Sequence, residues 1–255
     1  MNNLISKFDD IFPPGITVVF LHAHPDDESF LSAGLIQEMV KRGRECIIVY
    51  SSAALISGNS NTKIRQNEAT RSCRLLGVKE VVYLEFCEPK YTSLDAIPLA
   101  DQSPQKVCES FFSIINKHKI STPFILVSYD KNGGYGNLDH KITNNGAVTF
   151  KSKYPKLIYS FIEVTINRDR ISEWLKYAKQ NLSVKLIPKL SYWSVDFGLS
   201  SKEIDYFYIL TNKQNKLKKE ALSKHATQIR QDEFPLALTD FDFKKVLGIE
   251  YIKIH

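Results

Sequence analysis

The sequence predicts an α/β protein built on a mostly parallel, Rossmann-like β-sheet with helices on both faces. Two observations predict this fold: short β-rich apolar runs alternate with amphipathic helical stretches, and two of these helices end near a glycine. Of the 255 residues, 43% are hydrophobic and 24% are charged, so the chain can bury one large core. We therefore expect a single domain over residues 1–255.

The alternating units fill the first half of the chain. Strands are predicted at residues 16–23, 45–53, 80–86 and 123–129, which are rich in β-branched and aromatic side chains. Helices are predicted after the first strand up to Gly43, over residues 62–76 before Gly77, and over residues 105–119. In such a sheet, ligands bind beyond the carboxyl ends of the strands.

The second half is less regular. Further strands are predicted at residues 156–164, 185–193 and 204–210, and a helix is predicted around residues 170–180. Residues 88–104 form the longest segment without periodicity, which in a compact domain is typical of a functional loop over a site.

Composition and charge disfavour several classes of function. The net charge is +6, but the densest basic stretch, residues 213–224, has a helical pattern without interleaved aromatic residues, so we expect no nucleic-acid partner. No segment approaches the roughly 18 apolar residues that span a bilayer, and residues 1–10 lack a secretory signal pattern, so we expect a cytoplasmic protein without membrane insertion. The four scattered cysteines are expected to be buried thiols. The sequence does not indicate an oligomeric state.

A polar cluster lies where the first predicted strand gives way to a helix. It consists of His22, His24, Asp26, Asp27 and Glu28. A structural interpretation exists, because carboxylates at a helix start complement the helix dipole. His22 shares a strand face with His24, and we expect it to be a hydrogen-bonded core histidine or a neighbour of the site.

A second polar cluster follows the fourth predicted strand. The stretch GGYGNLDH leads into a helix with Asp139 and His140 in its first turn. Because parallel strands end at one sheet edge, His24 and Asp27 can meet His140 there. Two histidines and one carboxylate form the ligand set of a catalytic zinc site, and a second carboxylate can act as general base. The spacing does not say which aspartate has which role.

The motif AHPDDE, followed at a distance by GGYGNLDH, resembles the signature of the PIG-L/LmbE family of zinc-dependent N-acetylglucosaminyl deacetylases. The stretches RQNEATRSCRLLGV and KKEALSKHATQ are also similar to segments of that family, so the resemblance reaches from about Val18 to Gln228. It implies an LmbE-like fold, one zinc ion per chain and a small N-acetylated sugar as substrate.

The resemblance also implies roles for single residues. Carried over position by position, it makes His24, Asp27 and His140 the zinc ligands and Asp26 the general base. It further implies that Arg65 helps to bind substrate and that Tyr135 approaches the acyl oxygen.

The sequence departs from the family pattern at Asn137, where the family often has a histidine. An asparagine amide can donate a hydrogen bond to a developing oxyanion, a contribution of about 3 kcal/mol, but it cannot deliver a proton. We therefore predict that Asp26 also returns the proton to the leaving nitrogen. His225 is the alternative donor and a candidate substrate-binding residue.

Other residues near these motifs have simpler interpretations as well. Arg65 and Glu68 could pair on a helix surface, Glu28 could support the site or begin the helix, and Asp139 could orient a metal-binding histidine. The aromatic residues Tyr91, Tyr192 and Trp193 could stack on a sugar ring or pack in the core.

The sequence therefore predicts a zinc-dependent hydrolase that removes an N-acetyl group from an amino sugar or a GlcNAc-type glycoside. Two alternatives remain open: a metal-dependent amidase that acts on a larger amide conjugate, and a non-catalytic carbohydrate-binding relative, for which Asn137 is the only indication. A nicotinamide-binding protein is disfavoured because carboxylates, and not a glycine-rich turn, follow the first strand.

Overall fold

The computed structural model describes residues 1–55, 59–88, 97–188 and 196–255. Within these residues, eight strands form one mixed sheet. The strands are β1 (Asn2–Asn3), β2 (Val18–His22), β3 (Cys46–Leu55), β4 (Glu80–Cys87), β5 (Phe124–Tyr129), β6 (Ile158–Thr165), β7 (Tyr206–Ile209) and β8 (Ile249–Ile254). The helices are α1 (Phe8–Ile11), α2 (Asp27–Leu31), α3 (Ala33–Lys41), α4 (Asn59–Leu76), α5 (Pro104–Lys117), α6 (Gly133–Gly136), α7 (Leu138–Lys153), α8 (Arg168–Asn181), α9 (Asn212–Ser223) and α10 (Asp240–Leu247).

The order of the strands explains why the two polar clusters meet. The strands lie in the order β1-β7-β8-β6-β5-β2-β3-β4, and the run from β6 to β4 is parallel. Because β2 and β5 are direct neighbours, their carboxyl ends open at the same edge of the sheet. Both strands are buried over their whole length, as their continuous apolar runs predict for a sheet covered on both faces.

The predicted mostly parallel α/β fold is confirmed, with one group of packed helices formed by α3, α4 and α9 and another by α5 and α7. The antiparallel strand β8, which pairs with both β6 and β7, was not predicted from the sequence. The predicted strand at residues 185–193 is wrong in its described part, since Val184–Leu186 form a 3₁₀ turn. The N–H groups of Leu186 and Ile187 bond within the turn, and the carbonyl of Lys185 accepts from the N–H of Phe234, so these groups do not form a strand ladder.

The helix after β2 is broken where the sequence predicts continuity. Helix α2 ends at Leu31 and α3 begins at Ala33. The carboxylate of Glu250 on β8 accepts hydrogen bonds of 2.8 Å from the backbone N–H groups of Gly34 and Leu35, and it also pairs with the buried ammonium of Lys218. A remote acid thus supplies the cap at the start of α3, which local sequence cannot reveal.

Apolar side chains form two main clusters. The larger lies on the sheet, whereas a second one, here called the C-terminal cluster, consists of buried Trp174, Ala178, Leu222, Ile229, Leu236, Leu238 and Phe243. Phe30 of α2 packs against both clusters. All four cysteines are buried and free, as predicted. Among the described residues, no helix is both long and apolar enough to cross a bilayer.

Candidate metal centre and active-site cavity

His24, Asp27 and His140 converge at the shared edge of β2 and β5. Their nearest ligand atoms all lie within 4.8 Å of one another, and all three residues are buried. His140 Nε2 lies 3.2 Å from Asp27 Oδ1 and 3.3 Å from His24 Nδ1. Two ligands in a tetrahedral zinc site are roughly 3.4 Å apart, as follows from bonds of about 2.1 Å. The spacing of these side chains therefore fits a zinc ion.

The hydrogen bonds of both histidines leave a ring nitrogen turned toward Asp27. His140 Nδ1 is 3.2 Å from the carbonyl oxygen of Gly133, which can only accept, so this nitrogen carries the proton. His24 Nε2 is 2.9 Å from Asp139 Oδ2, as expected for a carboxylate that orients a metal-binding histidine. His24 Nδ1 and His140 Nε2 therefore both point toward the carboxylate of Asp27, where they can donate protons to it or present lone pairs to a bound cation.

Two donors fix the Oδ2 atom of Asp27. Its Oδ2 accepts from the Tyr129 hydroxyl at 2.6 Å and from the His24 backbone N–H at 2.8 Å. Burial alone would raise the pKa of Asp27, but the adjacent His140 and the hydrogen bonds of both histidines hold the pKa well below its usual value. Asp27 is therefore an ionised and oriented carboxylate, suited to binding a metal.

Asp26 lies beside this group in a strained backbone conformation. Its φ angle is +129°, a region that residues other than glycine rarely adopt. The side chain lines the cavity, and no side chain of the described residues donates a hydrogen bond to its carboxylate. Burial and the charge of Asp27 raise the pKa of Asp26 to about 7. Asp26 is thus available for proton transfer.

Glu28 holds the backbone of Asp26 from inside the protein. Its carboxylate accepts hydrogen bonds from the Asp26 backbone N–H and from the side chains of Ser29, Tyr50, Ser72 and His225, at 2.6 to 3.1 Å. Burial alone would raise the pKa of Glu28, but the charge of His225 and these hydrogen bonds lower it to about 2. The charge of Glu28 in turn outweighs burial and raises the pKa of His225.

The structure places His225 behind the cavity wall. Its side chain is fully buried, and it is not among the described residues that line the cavity. Its Nε2 lies 3.0 Å from Glu28, and the other oxygen of that carboxylate accepts from the backbone N–H of Asp26, so Glu28 lies between His225 and Asp26. This position favours a supporting role over the direct contact with substrate expected from the sequence.

The glycine-rich segment after β5 carries Tyr135 and Asn137 to the cavity. Gly133 and Gly134 have φ angles of +66° and +64°, which explains why glycines occupy this turn. Asn137 Oδ1 caps helix α7 by accepting from the Asp139 N–H at 2.8 Å, and its Nδ2 donates to the Tyr135 hydroxyl at 3.3 Å. Burial and the charges of Asp27 and Asp26 raise the pKa of Tyr135 well above its usual value, which keeps its hydroxyl protonated.

Arg65 pairs with a different acid from the one considered in the sequence. It forms a buried ion pair with Glu88, and both residues line the cavity, whereas Glu68 accepts hydrogen bonds from the backbone and hydroxyl of Thr227. The suggested Arg65–Glu68 pair on a helix surface is therefore wrong, because both side chains are buried and have other partners. Within the described residues, Nε of Arg65 has no hydrogen-bond partner.

His22 is a core residue, but the expected hydrogen bond is absent. Its ring stacks on Phe20 and meets the edge of Tyr129, at centroid distances of 5.7 and 5.4 Å. Neither ring nitrogen has a partner among the described residues. Burial lowers the pKa of His22 to about 4, so the ring is neutral, and it lies beneath the metal centre without joining it.

These side chains open into a cavity of about 1450 Å³. One end, here called the polar end, is lined by His24, Asp26, Asp27, Arg65, Glu88, Tyr135, Asn137 and Asp139. From the predicted loop 88–104, Glu88 and Ala100 contribute to the lining. The aromatic candidates Tyr91, Tyr192 and Trp193 lie outside the described residues.

Several residues that build the site were not recognised in the sequence. Tyr129 and Glu88 each end a strand or follow one directly, and this position was the available signal. Tyr50 and Ser72, which hold Glu28, have no local signal, because their role depends on contacts between β3, α4 and α2.

Curated relatives of this chain include deacetylases. The segment that matches the 1D-myo-inositol 2-acetamido-2-deoxy-alpha-D-glucopyranoside deacetylase of Mycobacterium bovis is 28% identical over 144 residues. This segment covers 48% of the present chain and 46% of that protein, so the match spans about half the length of the curated relative.

Solved structures match nearly the whole fold. The N,N'-diacetylchitobiose deacetylase from Pyrococcus horikoshii, in complex with an inhibitor, superposes with a TM-score of 0.60 at 20% identity, over 96% of this chain and 86% of that one. The zinc-inhibited form of a teicoplanin deacetylase gives a TM-score of 0.61 at 12% identity, over 94% and 99% of the two chains. At such low identity, these matches establish the fold alone.

The family profile described as "PIG-L: GlcNAc-PI de-N-acetylase" matches residues 19–151, which is more than half of the chain and contains both polar clusters. The match, together with the convergence of those clusters at one sheet edge, confirms the resemblance seen in the sequence. The chain belongs to the PIG-L family.

Proposed function

We propose that this protein is a zinc-dependent N-deacetylase that removes the acetyl group from an N-acetylated amino sugar or its glycoside. The observation that carries the proposal is the convergence of His24, Asp27 and His140 beside an uncommitted carboxylate, Asp26, at the end of a large cavity. The deacetylases among its relatives support the same activity.

His24, Asp27 and His140 would hold the metal, because their donor atoms have the spacing and lone-pair directions that zinc requires. A zinc ion there would supply Lewis-acid activation of water and of the amide carbonyl. Asp139 and the Gly133 carbonyl orient the two imidazole rings, and Tyr129 orients the carboxylate of Asp27.

Asp26 acts as base and then as acid. It accepts a proton from water as the water oxygen adds to the acetyl carbonyl carbon. When the bond between carbon and nitrogen breaks, Asp26 returns that proton to the nitrogen. The new carboxyl group releases the second proton of the water to solvent, and acetate and the amine leave. The raised pKa of Asp26 suits both steps near neutral pH, although a bound divalent cation would act in the opposite direction on this pKa.

Tyr135 stabilises the negative charge that develops on the acetyl oxygen. Its hydroxyl is protonated and can donate, and the amide of Asn137 donates to that hydroxyl and so orients it. Asn137 thereby contributes through Tyr135, in place of the direct donor considered from the sequence. Arg65, paired with Glu88 at the cavity wall, binds sugar hydroxyls or a charged substituent.

The site also bears on the two alternatives. A non-catalytic sugar-binding relative has no need of a carboxylate on a strained backbone such as Asp26, since that strain costs folding free energy. An amidase that acts on a larger conjugate would use the same residues, and the identity of the released acid separates it from a deacetylase. A cytoplasmic location remains a prediction of the sequence.

The activity can be tested with purified protein loaded with zinc and given N-acetylglucosamine and its methyl glycosides. We expect release of acetate and amine in equal amounts, loss of activity after chelation, and recovery when zinc is added back. Release of amine without acetate from a larger conjugate would favour the amidase. Sugar binding without turnover by the zinc-loaded protein would contradict the proposal and leave the binding relative.

A further inference from the structure

The backbone on either side of Tyr135 does not fix its own conformation. Gly134 and Gly136 flank this residue, with φ angles of +64° and +93°. Glycine adopts many backbone conformations at similar free energy, so a glycine-rich turn needs contacts from outside to hold it in one of them. A donor that stabilises developing charge is effective only at a fixed position. The contacts that hold residues 132–137, here called the Tyr135 turn, therefore bear on catalysis.

One set of contacts holds the Tyr135 turn from the end of β5. The carboxylate of Asp130 accepts from the backbone N–H of Asn132 at 2.7 Å, and the backbone carbonyl of Asp130 accepts from the N–H of Gly133 at 2.9 Å. These hydrogen bonds fix the start of the turn, ahead of Tyr135.

A second set of contacts comes from residues 197–201, here called the outer segment. The backbone N–H of Gly198 donates to the carbonyl oxygen of Gly134, the residue directly before Tyr135. The carbonyl oxygen of Gly198 accepts from Nδ2 of Asn132 at 2.8 Å. Both backbone groups of a single residue thus bind the Tyr135 turn, at two points that are two residues apart.

The outer segment is itself anchored to the sheet. The N–H of Leu199 donates to the carbonyl oxygen of Ile166, just after β6, at 3.0 Å. The side chain of Leu199 is fully buried and packs with Ile204 and with Tyr251 of β8. The outer segment is therefore a fixed support for the Tyr135 turn, with its own hydrogen bond and its own buried side chain.

The close approach of the outer segment requires a glycine at position 198. Its φ angle is +51°, and a Cβ atom there would collide with the carbonyl oxygen of Ile166. A larger residue would push the outer segment away from the end of β6 and change its hydrogen bond to Gly134. Neither Gly198 nor the side chain of Asn132 has a role in the metal centre, so their contacts with the turn need another explanation.

We propose that Asn132 and Gly198 are positioning residues that hold the Tyr135 turn, so that the hydroxyl of Tyr135 meets the developing oxyanion. This inference rests on the proposed deacetylase function and deepens it, because it names what holds the oxyanion donor in place. The ring of Tyr135 meets the ring of His140 edge to face, with centroids 5.0 Å apart, so a fixed turn keeps Tyr135 beside the metal centre.

The first test is Asn132→Ala, which removes the side-chain donor to Gly198 and keeps the backbone N–H that binds Asp130. The assay uses zinc-loaded protein with N-acetylglucosamine and its methyl glycosides. We expect kcat to fall about 10-fold and KM to change less than about 2-fold, because Tyr135 acts in the transition state and not in sugar binding. Zinc content, measured on the same sample, should equal that of the wild type.

A double-mutant cycle shows whether Asn132 acts through Tyr135. In a Tyr135→Phe background the hydroxyl is absent, so Asn132→Ala should lower kcat by less than a further factor of about 2. A purely structural role of Asn132 would give the same fold loss of kcat in both backgrounds. Gly198→Ala should lower kcat more than Asn132→Ala does, because it displaces the whole outer segment; the Asn132 cycle is decisive even if Gly198→Ala does not fold.

Ser201→Ala is the matched control. Ser201 holds the outer segment to Asn167 through hydrogen bonds of 3.1 and 3.2 Å between their side chains, and these bonds do not involve the Tyr135 turn. This variant should keep kcat within about 2-fold of the wild type.

Amide hydrogen exchange gives a second measurement that needs no substrate. Peptides that span residues 133–137 should exchange at least about 3-fold faster in Asn132→Ala than in the wild type, and at the wild-type rate in Ser201→Ala.

The outcomes separate this inference from the proposed function. Equal losses of kcat in both backgrounds, or no loss in either, would overturn the inference and leave the deacetylase intact. Unchanged hydrogen exchange in Asn132→Ala would also overturn it, because Asn132 would then not hold the turn. Loss of zinc in Asn132→Ala would show that the turn acts through His140 and would contradict the assignment to Tyr135. No hydrolysis by the zinc-loaded wild type would overturn the proposed function and the inference together.

Discussion

The two ends of the cavity differ in how the chain builds them. The polar end is formed by residues that directly follow parallel strands, and a dense hydrogen-bond network holds them: Asp27 has three partners and Glu28 has five donors. The rest of the lining, here called the apolar end, comes mainly from α8, α10 and the segment between α9 and α10. It contains apolar side chains such as Ile171, Trp174 and Phe234, together with charged ones such as Arg170 and Lys245. The comparison shows that hydrogen bonds between polar side chains hold one end of the cavity, whereas apolar packing holds much of the other.

Removal of the proposed base gives the largest expected effect on the polar end. Asp26→Asn should lower kcat/KM by roughly 10²- to 10⁴-fold, because an amide cannot accept the proton from water. The loss should be equal for N-acetylglucosamine and its methyl glycosides, since Asp26 acts at the acetyl group common to both. The measurement is acetate release with zinc content determined on the same sample. A variant that loses its zinc would show that Asp26 is a ligand and would contradict the assignment.

Glu28→Gln should weaken the support of the polar end. It removes the charge that pairs with buried His225 and places an amide N–H₂ among hydrogen-bond donors, so we expect a loss of about 3 kcal/mol in the free energy of unfolding. Turnover should also fall, because the amide keeps only one of the two acceptor oxygens and so cannot maintain all the hydrogen bonds beside the strained backbone of Asp26.

Glu38→Gln is a matched control for this variant. Glu38 is a buried acid on α3 that pairs with Arg42 and Tyr208 and does not line the cavity. This control should lower stability with little effect on turnover of the folded protein. If both variants lower stability and neither lowers turnover, Glu28 has only a structural role.

Asp130, which contacts the turn that carries Tyr135, should make the stability of the protein depend on pH. Its carboxylate accepts from Thr165 on β6 and from the backbone of Asn132 at the start of the turn. Burial raises the pKa of Asp130 to about 6 from 3.8, so the folded protein keeps a proton that the unfolded chain loses near pH 4. This contribution favours folding below pH 4 and is lost as the pH rises through 6.

Asp130→Asn should remove this pH dependence. Between pH 4 and pH 7, the stability of the wild type should fall by about 2 kcal/mol relative to that of the variant. Denaturant unfolding of both proteins at each pH measures this difference. Loss of a hydrogen bond that asparagine cannot make lowers the free energy of unfolding at every pH. Only the difference in pH dependence between the two proteins therefore reports the raised pKa of Asp130. Parallel curves would contradict the raised pKa.

The smallest expected effect separates two roles of Asn137. Asn137→Ala should cost about 1 kcal/mol of stability through loss of the helix cap, and turnover should fall about 10-fold as Tyr135 loses its donor. Asn137→Ser restores the cap but has no amide at the position of Nδ2. We expect this serine variant to recover stability and not turnover. Recovery of both would show that Asn137 acts only as a cap.

The contrast between the two ends also explains what the sequence could predict. His24, Asp27 and His140 were predictable because parallel strands deliver the residues after them to a common edge, and their side chains do meet there. The contacts of Glu28 with Tyr50 and Ser72, the cap that Glu250 supplies and the pair of Arg65 with Glu88 depend on tertiary packing between distant segments. The hydrophobic periodicity of a single segment does not reveal contacts of this kind.

The apolar end was not predictable for a further physical reason. Trp174 lies in the helix predicted around residues 170–180, but a helix face that lines a cavity has the same periodicity as one that packs in a core. Strand β8, which runs antiparallel to β6, also escaped prediction, although it brings Ile249 and Tyr251 to the cavity. Only the assembled structure shows which apolar face remains open.

The most direct test of the account is the metal content of the purified protein, measured by elemental mass spectrometry for wild type, His140→Ala, Asp27→Ala and Asp26→Asn. Circular dichroism of each sample confirms that the chain is folded. We expect about one zinc ion per chain in the wild type and in Asp26→Asn, and loss of zinc in the other two variants. A folded wild type that binds no zinc even when zinc is supplied would contradict the account.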